Sequence, residues 1–222
     1  MQSSRGADIF PCMSFDDFEK HLRYPAPGFQ CSPAAHTFIV KVKHRLGTPA
    51  TRAGLALLKK SLGPATDKTI ARFYSKHDGA LLYCQPGFDA VGIQFFPIAK
   101  WEAATRECSS RWTGDGLDDW GDPLPKPPGG IVFAEIPHSG NFFVLRVEGK
   151  QTGKIFYENH ENSDSAKKPL CESFEALLDM ISSDPAKFLS DRGSYTRYSD
   201  GKTGLQWIPT KFLPNAPKQF WT

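Results

Sequence analysis

The sequence predicts an α+β domain, and three features of residues 66–183 carry that prediction. A helix-like segment runs into His77-Asp78-Gly79 and a buried-looking strand follows it. Two apolar-rich segments, Asn141-Phe142-Phe143-Val144-Leu145-Arg146-Val147 and Lys154-Ile155-Phe156-Tyr157-Glu158-Asn159-His160, form a hairpin-like pair. A Ser-Phe-Glu-Ala-Leu-Leu helix start at Ser173 closes the run. The order of these segments contains no arrangement that does chemistry.

The elements follow from local physics. Ser14 can cap a short helix over 14–22, with Asp16 and Asp17 at the positive end of its dipole and Phe15, Phe18 and Leu22 on one face. Tyr24-Pro25-Ala26-Pro27-Gly28 breaks it. Residues 37–43 are rich in β-branched side chains and read as an extra strand. Residues 51–62 form a first core helix, with Leu55, Leu58 and Leu62 on one side, and Gly63-Pro64 ends it. Thr66 is expected to cap a second helix, in which Ile70, Phe73, Tyr74 and His77 repeat at helical spacing. Gly79 stands where a left-handed C-terminal cap is expected, and His77 reads as a packed or capping side chain.

Residues 80–84 and 91–96 read as neighbouring strands joined by a turn over 85–89. Pro97 opens a helical stretch through Ile98, Trp101, Glu102 and Thr105 that ends near Ser110. A proline-rich loop over 114–129 precedes the strand Gly130-Ile131-Val132-Phe133-Ala134-Glu135-Ile136. In the hairpin, Phe143, Leu145 and Val147 alternate with Phe142, Val144 and Arg146. Gly149 and Gly153 allow the turn positive φ. Burying each large side chain here contributes about 1.5–3 kcal/mol, which makes the hairpin a main source of core stability. Phe174, Leu177, Leu178 and Ile181 form the stripe of the last core helix, which Asp184-Pro185 is expected to end. The final segment holds Tyr195, Tyr198, Trp207, Phe212, Phe220 and Trp221, an aromatic content that implies packing on the core or on a partner.

Length allows one domain with extensions: residues 1–50 packed on the core, an α+β domain over 51–183, and an aromatic-rich C-terminal extension over 184–222. The chain has 40% hydrophobic and 23% charged residues, the balance of a soluble globular protein. A net charge of +3 is too small to signal direct nucleic-acid binding. No apolar run reaches membrane-spanning or signal-peptide length, so a cytoplasmic protein without a membrane partner is expected. The five cysteines, Cys12, Cys31, Cys84, Cys108 and Cys171, have no Cys-x-x-Cys spacing and read as reduced thiols, with Cys84 and Cys108 as core candidates.

Candidate chemistry is sparse. No histidine has another at i+4, and no phosphate-loop, dinucleotide or nucleophile-elbow motif occurs. Glu158 and His160 would share a face of an extended chain, but two ligands are too few for a metal site. No cofactor, metal or catalytic residue is therefore assigned. The sharpest local anomaly is acidic: Asp115, Asp118, Asp119 and Asp122 surround Trp120, close behind Trp112. A solvated loop, a calcium loop of non-EF-hand spacing and a partner surface are the three readings of this segment. In the last, carboxylates select a basic partner and the two tryptophans anchor it.

The run from about 53 to 183 resembles the SUKH superfamily, which contains a fungal cell-wall-synthesis regulator and many bacterial toxin-immunity proteins. Four stretches carry the resemblance. Residues 70–79 are similar to the helix that ends in the family's Asn-Gly. Gly92-Ile93-Gln94-Phe95-Phe96-Pro97-Ile98 is similar to the strand that leads into its next helix. Ser139-Gly140-Asn141-Phe142-Phe143-Val144-Leu145 is similar to its Gly-Asp/Asn strand. Gly153-Lys154-Ile155-Phe156-Tyr157-Glu158-Asn159-His160-Glu161 with Ser173-Phe174-Glu175-Ala176-Leu177-Leu178 is similar to its ending. The chain departs in having Asp78 for the usual Asn and Gly63-Pro64 for the usual Leu-Pro. The resemblance implies a mixed or largely antiparallel central sheet with helices packed around it, and no catalysis. It implies a protein partner: a cognate toxin, often a nuclease or deaminase, or a signalling protein held by a scaffold. A hydrolase housed in the unmatched ends is the remaining alternative.

Overall fold

The structure is a computed structural model and describes residues 14–23, 30–33, 39–41, 43–84, 92–112, 129–160, 168–192, 207–209 and 220–221. In chain order the elements are α1 (Phe15–Arg23), β1 (Gln30–Pro33), β2 (Ile39–Lys41), β3 (Lys43–Leu46), α2 (Arg52–Leu62), α3 (Lys68–Lys76), β4 (Ala80–Cys84), β5 (Ile93–Phe95), α4 (Trp101–Trp112), β6 (Gly130–Ile136), β7 (Asn141–Arg146), β8 (Ile155–Glu158), α5 (Phe174–Ser183), α6 (Pro185–Asp191), β9 (Trp207–Pro209) and β10 (Phe220–Trp221).

The α+β expectation holds. A six-stranded sheet runs in the order β3-β4-β5-β6-β7-β8, and every pairing in it is antiparallel. A second sheet, β10-β2-β1-β9, joins strands from both ends of the chain. The expected strand over 37–43 is β2, and two short pieces of the aromatic C-terminal segment are its partners' strands: β9 pairs with β1 and β10 with β2.

Directly paired residues share a sheet face. Ala80, Phe95, Ala134, Phe143 and Tyr157 form one cross-strand row, and all are buried. Helices bring aromatics onto this row. Phe174 of α5 lies 5.6 Å from Phe73 of α3, 6.0 Å from Phe95 and 5.7 Å from Phe133, in edge-on arrangements. Phe188 of α6 stacks on Phe143 at 6.1 Å. Edge-to-face ring pairs add about 0.5–1.5 kcal/mol beyond the area they bury.

Two local expectations are corrected. Asp67, not Thr66, caps α3 by accepting the Ile70 N–H at 2.7 Å. The reason is a 3-10 turn over Gly63–Ala65 that uses the Thr66 N–H to bond Gly63 O, which delays the helix by one residue. Gly79 takes φ 90° but is not the helix cap; His77 caps in an extended conformation. Asp184-Pro185 ends α5 as expected, with Ser183 its last residue and Asp184 at its C-cap. Pro185 sits at a first helical position, where no N–H is needed, and Asp184 accepts the Lys187 N–H at 3.0 Å, so α6 begins at once. β8 ends at Glu158, and His160, just past it, bonds Asn141, which lies two residues before Phe143 on the aromatic face.

Candidate functional site

The family-like motifs are joined to one another inside the fold. Asp78, just past α3, accepts the Ile98 N–H on Oδ1 at 2.8 Å and donates its own N–H to Thr48 O at 2.6 Å. A Cβ on Gly79 would lie 2.9 Å from both Phe95 O and Pro97 N, so only glycine lets the two segments approach. The Phe96 carbonyl between them accepts from Tyr74 Oη at 3.0 Å and Trp101 Nε1 at 3.2 Å. Burial pushes the Tyr74 phenol well above its usual range. The Asp78-Gly79 and Phe96-Pro97-Ile98 motifs are thus two halves of one joint.

Asn141 makes a second joint. Its Oδ1 accepts from the His160 N–H at 3.1 Å and meets His160 Nδ1 at 2.7 Å, while its Nδ2 donates to Tyr157 Oη at 2.9 Å. Tyr157 in turn donates to Arg192 O at 2.9 Å, which ties β7 and β8 to the end of α6. His77 is a helix cap whose ring lies 5.9 Å from Phe73, with Nε2 3.1 Å from Glu19 Oε1. Cys84 and Cys108 are buried as expected, and burial pushes the Cys171 thiol up to about 12, which disfavours its thiolate at neutral pH.

On the other face of the sheet, register aligns one residue from each strand: Arg45, Leu81, Gln94, Glu135, Phe142 and Glu158. Four of the six are polar. The β3 end opens into a cleft of about 320 Å³ lined by Arg45, Leu46, Asp78, Leu81, Gln94 and Pro97. Leu46, at 39% exposure, is one of two large apolar side chains left open among the described residues. At the β8 end Glu158 is 2% exposed, and neither carboxylate oxygen has a hydrogen-bond partner. Burial raises its pKa to about 7, against the attraction of Arg146, whose guanidinium lies 5.0 Å above the Phe156 ring. Sequence reading missed this row. Its only local signal was a glutamate closing the apolar strand Ile-Phe-Tyr-Glu.

Of the partner residues expected from sequence, Trp112 is the last residue of α4, with its side chain undescribed. Asp115, Asp118, Asp119, Trp120 and Asp122 lie outside the described residues. Among the described residues no three His, Cys, Asp or Glu side chains converge as metal ligands, and no helix is long and apolar enough to cross a membrane.

The row crosses all six strands, with Arg45 exposed at one end and Leu81, Phe142 and Glu158 buried. No curated protein matches the chain. Residues 49–180, more than half of the chain, match the model of the SMI1 / KNR4 family (SUKH-1), and this stretch contains the Asp78–Ile98 and Asn141–His160 contacts and five of the six row residues. The resemblance carried by the four motifs is therefore membership, and the chain belongs to the SMI1 / KNR4 family (SUKH-1).

Proposed function

We propose that this protein is a non-catalytic binding module of immunity type, which grips and neutralises a cognate protein toxin in the cytoplasm. One observation carries the reading: two polar residues of the family-like motifs, Asp78 and Asn141, are engaged in holding the fold together. Asp78 caps the Ile98 N–H and Asn141 holds His160 and Tyr157. A rigid, preformed surface suits a protein that must hold its target tightly, because little ordering is lost on binding. The acidic segment with Asp115, Asp118, Asp119 and Asp122, flanked by Trp112 and Trp120, is the proposed partner-selecting surface. It fits a basic partner such as the nucleic-acid cleft of a nuclease.

Affinity purification of the full chain from its own cells, with a triple variant (Asp118→Ala, Asp119→Ala, Trp120→Ala) alongside, tests this. One stoichiometric toxin captured by the native chain, and lost or weakened at least tenfold in the variant, is the expected result. Equal capture by both removes the acidic segment from the interface. Capture of a signalling complex instead would assign a scaffold. Turnover of a small compound, abolished by a point change in the domain, would overturn the reading.

A further inference from the structure

We propose that α1 is a proton-released strap: its seat on the domain depends on the neutral pair His21 and His44, and acidification lifts it from the apolar surface it covers. The inference is independent of the partner. α1 lies outside the family match, yet Phe15, Phe18 and Leu22 are buried against the domain.

Two sets of contacts seat it. On one flank Asp16 pairs with Arg72 at 2.5 Å, and Glu19 pairs with Lys76 and with His77. On the other, His21 Nε2 meets Tyr83 Oη at 2.5 Å. That hydroxyl also donates to Ile181 O at 3.3 Å, so it accepts from His21. The His44 ring stands 4.6 Å from Tyr83 and 5.9 Å from His21. His44 Nδ1 accepts the Tyr83 N–H at 3.2 Å, which places the ring proton on Nε2, a buried atom without a partner. Tyr83 holds φ 55°, a left-handed conformation costly for a tyrosine, and such strain persists only where the surroundings over-determine it.

Burial disfavours a second proton on either ring, and on His44 so does repulsion from His21. The ionisable groups on the packed elements are His21 with Asp16, Asp17, Glu19, Lys20 and Arg23 from α1, His44 with flanking Lys43 and Arg45 from β3, Tyr83 and Cys84 from β4, and Glu175 and Asp179 from α5, whose Ile181 carbonyl accepts from Tyr83. The α1 carboxylates point elsewhere, to Arg72, Lys20, Lys76 and His77. Burial holds the His21 pKa below its usual value; burial and then repulsion from His21 bring His44 to about 4. Both seated values lie below the free value of 6.5. Seating is therefore complete above that pH and weakens as pH falls from 6.5 toward 4. Glu19, held below its usual value after Lys76 and His77 outweigh its burial, stays ionised through the upper part of this window and does not account for the loss.

Hydrogen exchange of the full chain at pH 7.5 and pH 5, corrected for intrinsic rates, tests the strap. If release returns His44 to its ordinary pKa, α1 protection falls roughly 30-fold at pH 5, while α5 keeps its protection. The variants His44→Phe and His21→Gln should flatten that dependence. Unchanged α1 protection at pH 5 in the native chain, or the same fall in both variants, would overturn the proposal. Proton NMR of the native imidazoles decides the matter without a variant: ring titration must coincide with the loss of α1 protection, and titration without that loss sinks the idea.

Discussion

Asp78 Oδ1 lies 2.8 Å from Ile98 N and accepts its hydrogen bond, so the residue that leaves α3 also caps the turn that starts α4. Replacement by alanine strands that N–H and is expected to cost about 1–2 kcal/mol. Asp78→Asn keeps an acceptor oxygen and is expected to cost less than about 0.5 kcal/mol. Urea denaturation of the two variants separates them. Equal losses would show that charge, rather than the hydrogen bond, matters at this joint.

Gly79 allows the same joint to close. With φ 90° and two backbone atoms 2.9 Å from any Cβ, Gly79→Ala combines backbone strain with overlap against atoms that cannot rotate away. A loss of more than about 2 kcal/mol is expected, beyond the usual helix or strand preference of alanine. Alanine at Gly149, where nothing lies within 4 Å of a Cβ, isolates the φ contribution.

Glu158 produces a pH signature. Its folded pKa is about 7 against an ordinary 4.5, so the folded chain binds the extra proton in that window. The sign is the reverse of a salt-bridged carboxylate: stability is full below pH 4.5 and declines as pH rises toward 7. Glu158→Gln keeps the shape without the charge. It is expected to stabilise the fold on the order of 2 kcal/mol at pH 8 and to make little difference at pH 4. Chemical denaturation at both pH values checks this; a destabilised variant at pH 8 would reveal a cation bound to the carboxylate.

Phe174 is fully buried among Phe73, Phe95 and Phe133. Phe174→Ala should cost about 3–5 kcal/mol, enough to unfold a marginal domain. Leu57→Ala, on a side chain 46% exposed, should cost less than about 0.5 kcal/mol. Thermal melts of the pair compare the two directly.

Local elements were legible where one short interaction decides them. Ser173 caps α5 by accepting the Ala176 N–H at 3.1 Å, and the side-chain spacing after it already marks the buried stripe. The strands β6, β7 and β8 carry their apolar content on their own residues. The α+β class and the family motifs follow from such signals, because caps, breakers and periodicity act within a few positions of the chain.

Relations across the chain depended on the tertiary structure. The line from Arg45 to Glu158 needs five strand registers, and a slip of one residue in any of them would turn a member to the opposite face. His21 and His44 are ordinary histidines in sequence; they become neighbours only because α1 packs beside β3 and β4, and their low pKa values come from that burial. The alternation in β7 puts Phe142 and Val144 on the opposite side from Phe143 and Leu145, yet all four are buried. Periodicity states which side chains share a side, while packing decides what covers each side and what charge it tolerates.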